Sequence, residues 1–335
     1  MMTVSREPYN KKYWLCAKII AAGIVIWLLT QSAQLKFGLV YTLLDKPVFT
    51  LVSLGLLYAA VFFNTWRWYR LNTAQEITLS LTKTFIPTYL GVAFNTILPG
   101  NLGGDVLRIY QLIKKFPQKK SGIILSTFLD RFSGLMGIFF ISCLAALLHW
   151  QAITQSDTLA YLLITCLCAC LIGIVFIFIT LLSSNKLKLS RLEEKFPNRR
   201  WLQPLLSLIA AIHLYKNKKL IILECFVTSL VTQLALLAII LLLNNMMGLP
   251  SFSVFDYMLA LAVAQIANLV PLTPGGIGIG EAAFANVLLL LNPGTNAAYA
   301  TVFLAFRLIS IFAYLPGLFI GIFGFNLLKK ETYAQ

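Results

Sequence analysis

Six stretches of this chain, about 15–35, 48–66, 121–149, 158–182, 220–247 and 297–325, are apolar over about 20 residues or more. About 20 residues of helix cross the hydrocarbon core of a bilayer. Runs of that length must be packed into one soluble core or placed in lipid. The soluble option fails on surface chemistry. Only 12% of the residues are charged, against roughly a quarter in soluble domains, so too little polar surface remains to cover such a core. The pattern predicts an all-α polytopic integral membrane protein with about six full spans.

The N-terminus, Arg6 to Lys12 ahead of an apolar run from Ile19, resembles a signal peptide, but Ser32-Ala33-Gln34 is a poor cleavage site. The expectation is an uncleaved first helix. Cys16, Cys143, Cys166, Cys168, Cys170 and Cys225 all lie in apolar stretches and read as small residues at helix contacts, not a disulfide framework.

Two further apolar stretches, about 84–113 and 256–291, are broken by Pro/Gly clusters. The first holds Asn95-Thr-Ile-Leu-Pro99-Gly100-Asn-Leu-Gly103-Gly104-Asp105, the second Pro271-Leu-Thr-Pro274-Gly275-Gly276-Ile-Gly278-Ile-Gly280-Glu281. Proline ends a helical hydrogen-bond ladder and glycine permits a tight reversal. Irregular backbone at membrane depth survives only against protein or a wet cavity. Each half is short for a crossing, so both stretches read as re-entrant helical hairpins. A short span followed by an interfacial helix is the plainer alternative.

The formal charge of +15 is distributed by topology rather than for nucleic acid. With the N-terminus in the cytoplasm, the inner stretches hold Arg6, Lys11, Lys12, Arg67, Arg70, Lys83, Lys114, Lys115, Lys119, Lys120, nine bases between 183 and 219, Lys329 and Lys330. The outer loops hold Lys36 and Lys46 alone. That asymmetry is what the positive-inside rule requires, and it places both termini in the cytoplasm. The first hairpin then enters from inside and the second from outside, as in an inverted repeat: 1–182, a basic cytoplasmic connector 183–219 suited to anionic headgroups, and 220–335. Spacing agrees, because Asp105 to Arg131 and Glu281 to Arg307 are both 26 positions.

Four bases remain: Lys18, which can snorkel from a helix end, and Arg108, Arg131 and Arg307 in or beside the breaks. Asp105, Asp130, Glu224 and Glu281 are the acids at comparable depth. A charge at the bilayer centre costs about 2.5–3.5 kcal/mol on insertion scales, so these groups must face one another or water. They form a lock of ion pairs, a functional cleft, or both. Asp105 and Arg108 can pair along one helix face, whereas Asp130 and Arg131 point apart and need other partners. A guanidinium cleft would replace the hydration that an anionic headgroup loses in hydrocarbon. The helices starting at Gly103–Asp105 and Gly280–Glu281 aim positive dipole ends at the same depth, where the two acids can also act as caps. No phosphate-loop motif for ATP is present, His149 and His213 are far apart, and no serine-nucleophile motif occurs, so no cofactor, metal site or catalytic residue is expected.

At the breaks the chain resembles a known family, the flippase-like membrane region of lysylphosphatidylglycerol synthetases. Asn95…Pro99-Gly100…Gly103-Gly104-Asp105…Arg108 resembles its first signature, Asp130-Arg131 its acidic-Arg pair, Pro274-Gly275-Gly276-Ile277-Gly278…Glu281-Ala282 its second, and Arg307 the arginine of its last helix. The likeness covers about 15–325. It implies two inverted subdomains with re-entrant helices, in a bacterial inner membrane, translocating lipid between leaflets. Bifunctional members carry a soluble aminoacyl-transferase domain after the membrane part. This sequence stops at Gln335, so lysyl transfer is not expected. The substrate expected is an anionic phospholipid or polyprenyl-phosphate lipid, with hopanoids also open. Arg108, Arg131, Arg307, Asn95, Gly103, Gly104, Gly275 and Gly276 are the candidate contacts, and Asp105, Asp130, Glu281 and Glu224 the candidate charge-coupling groups. A membrane-embedded enzyme or enzyme subunit acting on a lipid-linked substrate is the alternative, and a scaffold for a lipid-modifying complex a third. A second copy or a lipid-modifying enzyme are the protein partners left open.

Overall fold

A computed structural model describes residues 20, 23–31, 34–97, 103–148, 150, 157–182, 214–215, 218–270, 273–295 and 297–331. These residues form helices and turns with no strand. The principal helices are α1 (Pro47–Ala74), α2 (Leu81–Ile97), α3 (Gly103–Lys115), α4 (Lys120–Leu148), α5 (Asp157–Leu182), α6 (Lys219–Met246), α7 (Val254–Ala267), α8 (Ile279–Leu291) and α9 (Tyr299–Glu331).

Among the described residues four helices, α1, α4, α6 and α9, are long and apolar enough to cross a membrane. The expected span at 158–182 is helical as α5, though many of its side chains lie outside the described residues; of the expected span at 15–35, residues 23–31 are helical. Chain polarity inside these helices is dealt with locally. The hydroxyls of Ser53, Thr65, Ser142 and Ser229 each donate to the carbonyl one turn back, so none of these four is left bare within its helix. The five described cysteines are free thiols.

The sequence places α1 too short. It extends past residue 66 to Ala74, and its buried face continues through Ala60, Val61, Thr65, Arg67, Trp68, Leu71 and Asn72. Arg67, expected in a cytoplasmic loop, is a buried residue of a spanning helix. The far end of α1 is tied down by other segments. Tyr215 donates its hydroxyl to the Leu71 carbonyl (2.9 Å), Lys218 its ammonium to that of Ala74 (2.9 Å) and Lys119 to that of Gln75 (3.2 Å). Cations belong at a helix C-terminus, where the carbonyl ends of the dipole lie. Burial pushes the Tyr215 phenol up, which keeps it a proton donor.

Both broken stretches fold back on themselves. α2 and α3 have 17 and 13 residues, and α7 and α8 have 14 and 13. Each is shorter than the ~20 residues of a crossing, and within each stretch the two halves pack against one another. In the first, the backbones of Gly91 and Gly104 touch, so a Cβ on Gly104 would overlap the Gly91 carbonyl. In the second, Gly275, Gly276 and Gly278 have φ of 59°, 73° and 85°, the left-handed region that glycine alone adopts without strain. α2 also lies along α9, with Gly317 and Gly321 facing Tyr89, Ala93 and Phe94. Small residues four apart are the usual means by which membrane helices approach closely. The tips of the two hairpins meet at a separate point, where Gly275 lies against the Thr96 carbonyl.

Candidate functional site

The first hairpin, α1 and α4 enclose a cavity of about 250 Å³ lined by Asn64, Arg67, Thr88, Val92, Asn95, Thr96, Asp105, Arg108, Asp130 and Arg131. Its charges form one continuous chain. Arg67 Nε meets Asp130 Oδ1 at 2.7 Å, and Arg108 Nη2 meets Asp130 Oδ2 at 2.9 Å. The same Arg108 nitrogen meets Asp105 Oδ1 at 2.9 Å, and Arg131 Nε closes on Asp105 Oδ2 at 2.5 Å. Three arginines and two aspartates leave one net positive charge. Asp130 lies ten residues into α4 from Lys120, about 15 Å along the helix, roughly half of a ~30 Å hydrocarbon core.

Neighbouring groups fix this chain in place. Arg67 Nη1 donates to Ser229 on α6 (2.9 Å), and the Arg108 guanidinium lies 4.6 Å from the centre of the buried Trp68 ring. The stem of Arg108 passes over Gly91, where any side chain would collide with it. Asn95 accepts the Gly104 N–H at 2.8 Å and so joins the end of α2 to the start of α3. The side chains of Arg67, Arg108 and Asp130 are at most 7% exposed, whereas that of Arg131 is 40% exposed and forms the edge of the cavity. Arg108 Nε is buried without a partner, an unspent donor inside a positively charged site.

A second cavity of about 130 Å³ adjoins the first, lined by Thr96, Asn268, Gly275, Ile277, Phe303, Phe306, Arg307, Ser310 and Ile311. Thr96 belongs to both walls. The tips meet there: a Cβ on Gly275 would stand 2.6 Å from the Thr96 carbonyl oxygen. Arg307 Nε pairs with Glu281 Oε1 at 2.6 Å, and Nη2 with Oε2 at 3.3 Å. Arg307 also donates to the Gly275 carbonyl, to the Gly276 carbonyl (3.1 Å) and to Asn268 Oδ1 (3.3 Å). Glu281 in turn accepts the Gly278 N–H at 2.8 Å, capping α8.

The residues singled out in the sequence thus separate into two groups. Asn95, Asp105, Arg108, Asp130 and Arg131 line the first cavity, with Gly104 bonded to Asn95 and Gly103 half-buried beside it. Gly275 and Arg307 line the second, with Gly276 and Glu281 bonded to Arg307. The two acid–arginine pairs at 26-residue spacing are both ion pairs. The three arginines do not share one cavity, because Arg307 sits in the second. Glu224 stands apart from both. It pairs with Arg70 at 2.5 Å, their side chains 40% and 28% exposed, near the start of α6.

Arg67, Ser229, Asn64 and Asn268 were missed by sequence reasoning. A signal for Arg67 existed, since it lies seven residues after Ala60 on the buried stripe of α1, and Asp130 required a partner. Asn268 repeats the pattern of Asn95, an amide at the end of an apolar helix just before a Pro/Gly break.

The fold and site define a polytopic helical membrane protein with a cation-rich cavity buried among its spans. The family model for the lysylphosphatidylglycerol synthase TM region matches residues 14–317, and the chain belongs to that family of lipid-related membrane regions. No curated protein and no solved structure matches the chain.

Proposed function

We propose that this protein moves an anionic lipid, a phospholipid or polyprenyl-phosphate lipid, between leaflets, with the headgroup passing through the first cavity. The observation that carries the reading is the five-membered chain from Arg67 to Arg131, net positive, around a cavity about 250 Å³ in volume. A buried cationic site is costly to hold in hydrocarbon unless it is compensated. A headgroup phosphate compensates it, and guanidinium forks match phosphate oxygens. Arg131 at the edge is the first guanidinium an incoming phosphate meets. Asp105 and Asp130 hold the forks in position when no phosphate is there. In this reading the hairpins are re-entrant, the halves are inverted repeats, and both termini and the 183–219 connector face the cytoplasm. The site binds and releases; the reading involves no covalent step and no cofactor.

The test is leaflet sidedness in liposomes of purified protein containing fluorescent anionic lipids. Arg108→Lys and Arg131→Lys keep charge but lose the fork. A lost charge-assisted hydrogen bond is worth about a tenfold change in rate or affinity, so each should slow translocation by about that factor. Unaltered rates in both variants at equal reconstitution would reject the headgroup reading.

A further inference from the structure

The second cavity differs from the first in chemistry as well as size. Each nitrogen of Arg307 already faces an acceptor, from Glu281, Asn268 or the carbonyls of the break. Glu281 cancels its charge. The hydroxyls on the wall are engaged too, Thr96 with the Ala93 carbonyl (2.6 Å) and Ser310 with that of Phe306 (2.8 Å). What remains, beside the Asn268 amide, is mostly the apolar surface of Ile277, Phe303, Phe306 and Ile311.

Register makes the contrast sharper. Three residues after the acid stands Arg108 in the first half and Phe284 in the second. Just before the arginine stands Asp130 in the first half and Phe306 in the second. At the register of Asp130 the second cavity has the Phe306 ring on its wall, and at that of Arg108 the buried Phe284 packs tilted at 5.5 Å behind Phe303, which lines the cavity. The outer pair, Asp105–Arg131 or Glu281–Arg307, is common to both.

We infer that the second cavity is a subsite for the uncharged junction of the lipid, the ester-linked carbons between phosphate and chains, and that Arg307 clamps the second break instead of binding the headgroup. This rests on the headgroup reading of the first cavity. The volume, about 130 Å³, is close to that of the ~150 Å³ apolar cavities that take up benzene. It admits a few carbons and no second headgroup or sugar. Because Thr96 borders both spaces, one amphiphile with its phosphate at Arg108 and Arg131 reaches the second cavity past a single residue.

The experiment compares two probes on the full chain in detergent: glycerophosphoglycerol, a deacylated headgroup, and dioctanoyl phosphatidylglycerol. Ser310→Leu and Ile277→Phe each fill the second cavity. Both should weaken binding of the short-chain lipid by about tenfold and leave the deacylated headgroup within about twofold. Thermal melting shows which variants are folded, and having two sites guards against one failing. Equal weakening of both probes, or no weakening of either, overturns the subsite. An unaltered chain that binds the deacylated headgroup as tightly as the lipid also overturns it while the headgroup reading stands. An unaltered chain that binds neither probe removes both.

Discussion

Asp130 is the residue whose loss the structure makes most costly. Its two oxygens each take a different guanidinium, Arg67 at 2.7 Å and Arg108 at 2.9 Å, and its side chain is 4% exposed. Asp130→Asn keeps the shape but removes the charge. Three arginines then face Asp105 alone, and the net charge of the chain rises from one to two. Breaking a buried pair by removing one partner costs about 3–5 kcal/mol. Glu224→Gln is the matched control. It breaks an ion pair of similar length with Arg70, but one largely open to its surroundings, for which about 0–1 kcal/mol is expected. A double variant, Arg67→Leu with Asp130→Leu, returns the net charge to one and should recover part of the loss, since apolar replacement of a whole buried pair is often neutral. Reversible unfolding in detergent, followed by steric trapping or by thermal melting at matched conditions, measures all three. The reasoning fails if Asp130→Asn unfolds no more easily than Glu224→Gln, or if the double variant is less stable than the single.

Gly104→Ala should separate α2 from α3, because the methyl meets the Gly91 backbone on a rigid neighbour; overpacking of this kind costs about 1–3 kcal/mol. Gly55→Ala, with nothing within 4 Å of the new methyl in the middle of α1, should stabilise by about 0.5–1 kcal/mol, and melting of both variants checks the pair. Arg307→Lys should lower stability while leaving deacylated-headgroup affinity within about twofold, whereas Arg131→Lys should do the reverse, read by melting and by equilibrium binding, since the fork of Arg307 holds the break and, on the proposed reading, that of Arg131 meets the anion. In a chain whose native cysteines are replaced, Ser190→Cys should resist impermeant thiol reagents applied outside intact cells; labelling from outside would overturn the cytoplasmic placement of the 183–219 connector.

The parts legible in the sequence were those carried by length and by punctuation. Apolar runs located the long helices, and Pro/Gly clusters located both reversals. The shared 26-residue interval, read in the sequence as a sign of repetition, joins the partners of two ion pairs in the structure. Arg67 was hidden because hydropathy falls at Arg67 and Arg70, which makes the end of α1 look like a loop. The buried stripe runs on past them through Trp68 and Leu71. Glu224 misled for the opposite reason. It lies in an apolar run, but only about a turn and a half from Lys219, where a partner at the interface is within reach. The saturation of Arg307 was beyond sequence reasoning altogether. Which carbonyls a guanidinium meets depends on how glycines at positive φ turn them, and composition carries no record of that.

The shared pair and the differing interior together separate scaffold from chemistry. Each half sets a Gly-acid step at the start of a short helix and an arginine on the next long helix, 26 residues on. In the second half this pair is closed on itself: Glu281 holds Arg307 and the Gly278 N–H, and Arg307 holds the break. A phosphate arriving there would have to displace several bonds at once. In the first half Asp105 is divided between Arg108 and Arg131, and Arg108 is divided again with Asp130. A phosphate that draws Arg131 away leaves Asp105 with Arg108, and no acid is stranded. On the proposed reading, binding there would exchange partners within a chain that already shares them, so the anion would enter and leave without exposing a lone buried charge. On the proposed reading the second half therefore anchors, and the added charges Arg67, Arg108 and Asp130 are what would let the first half bind.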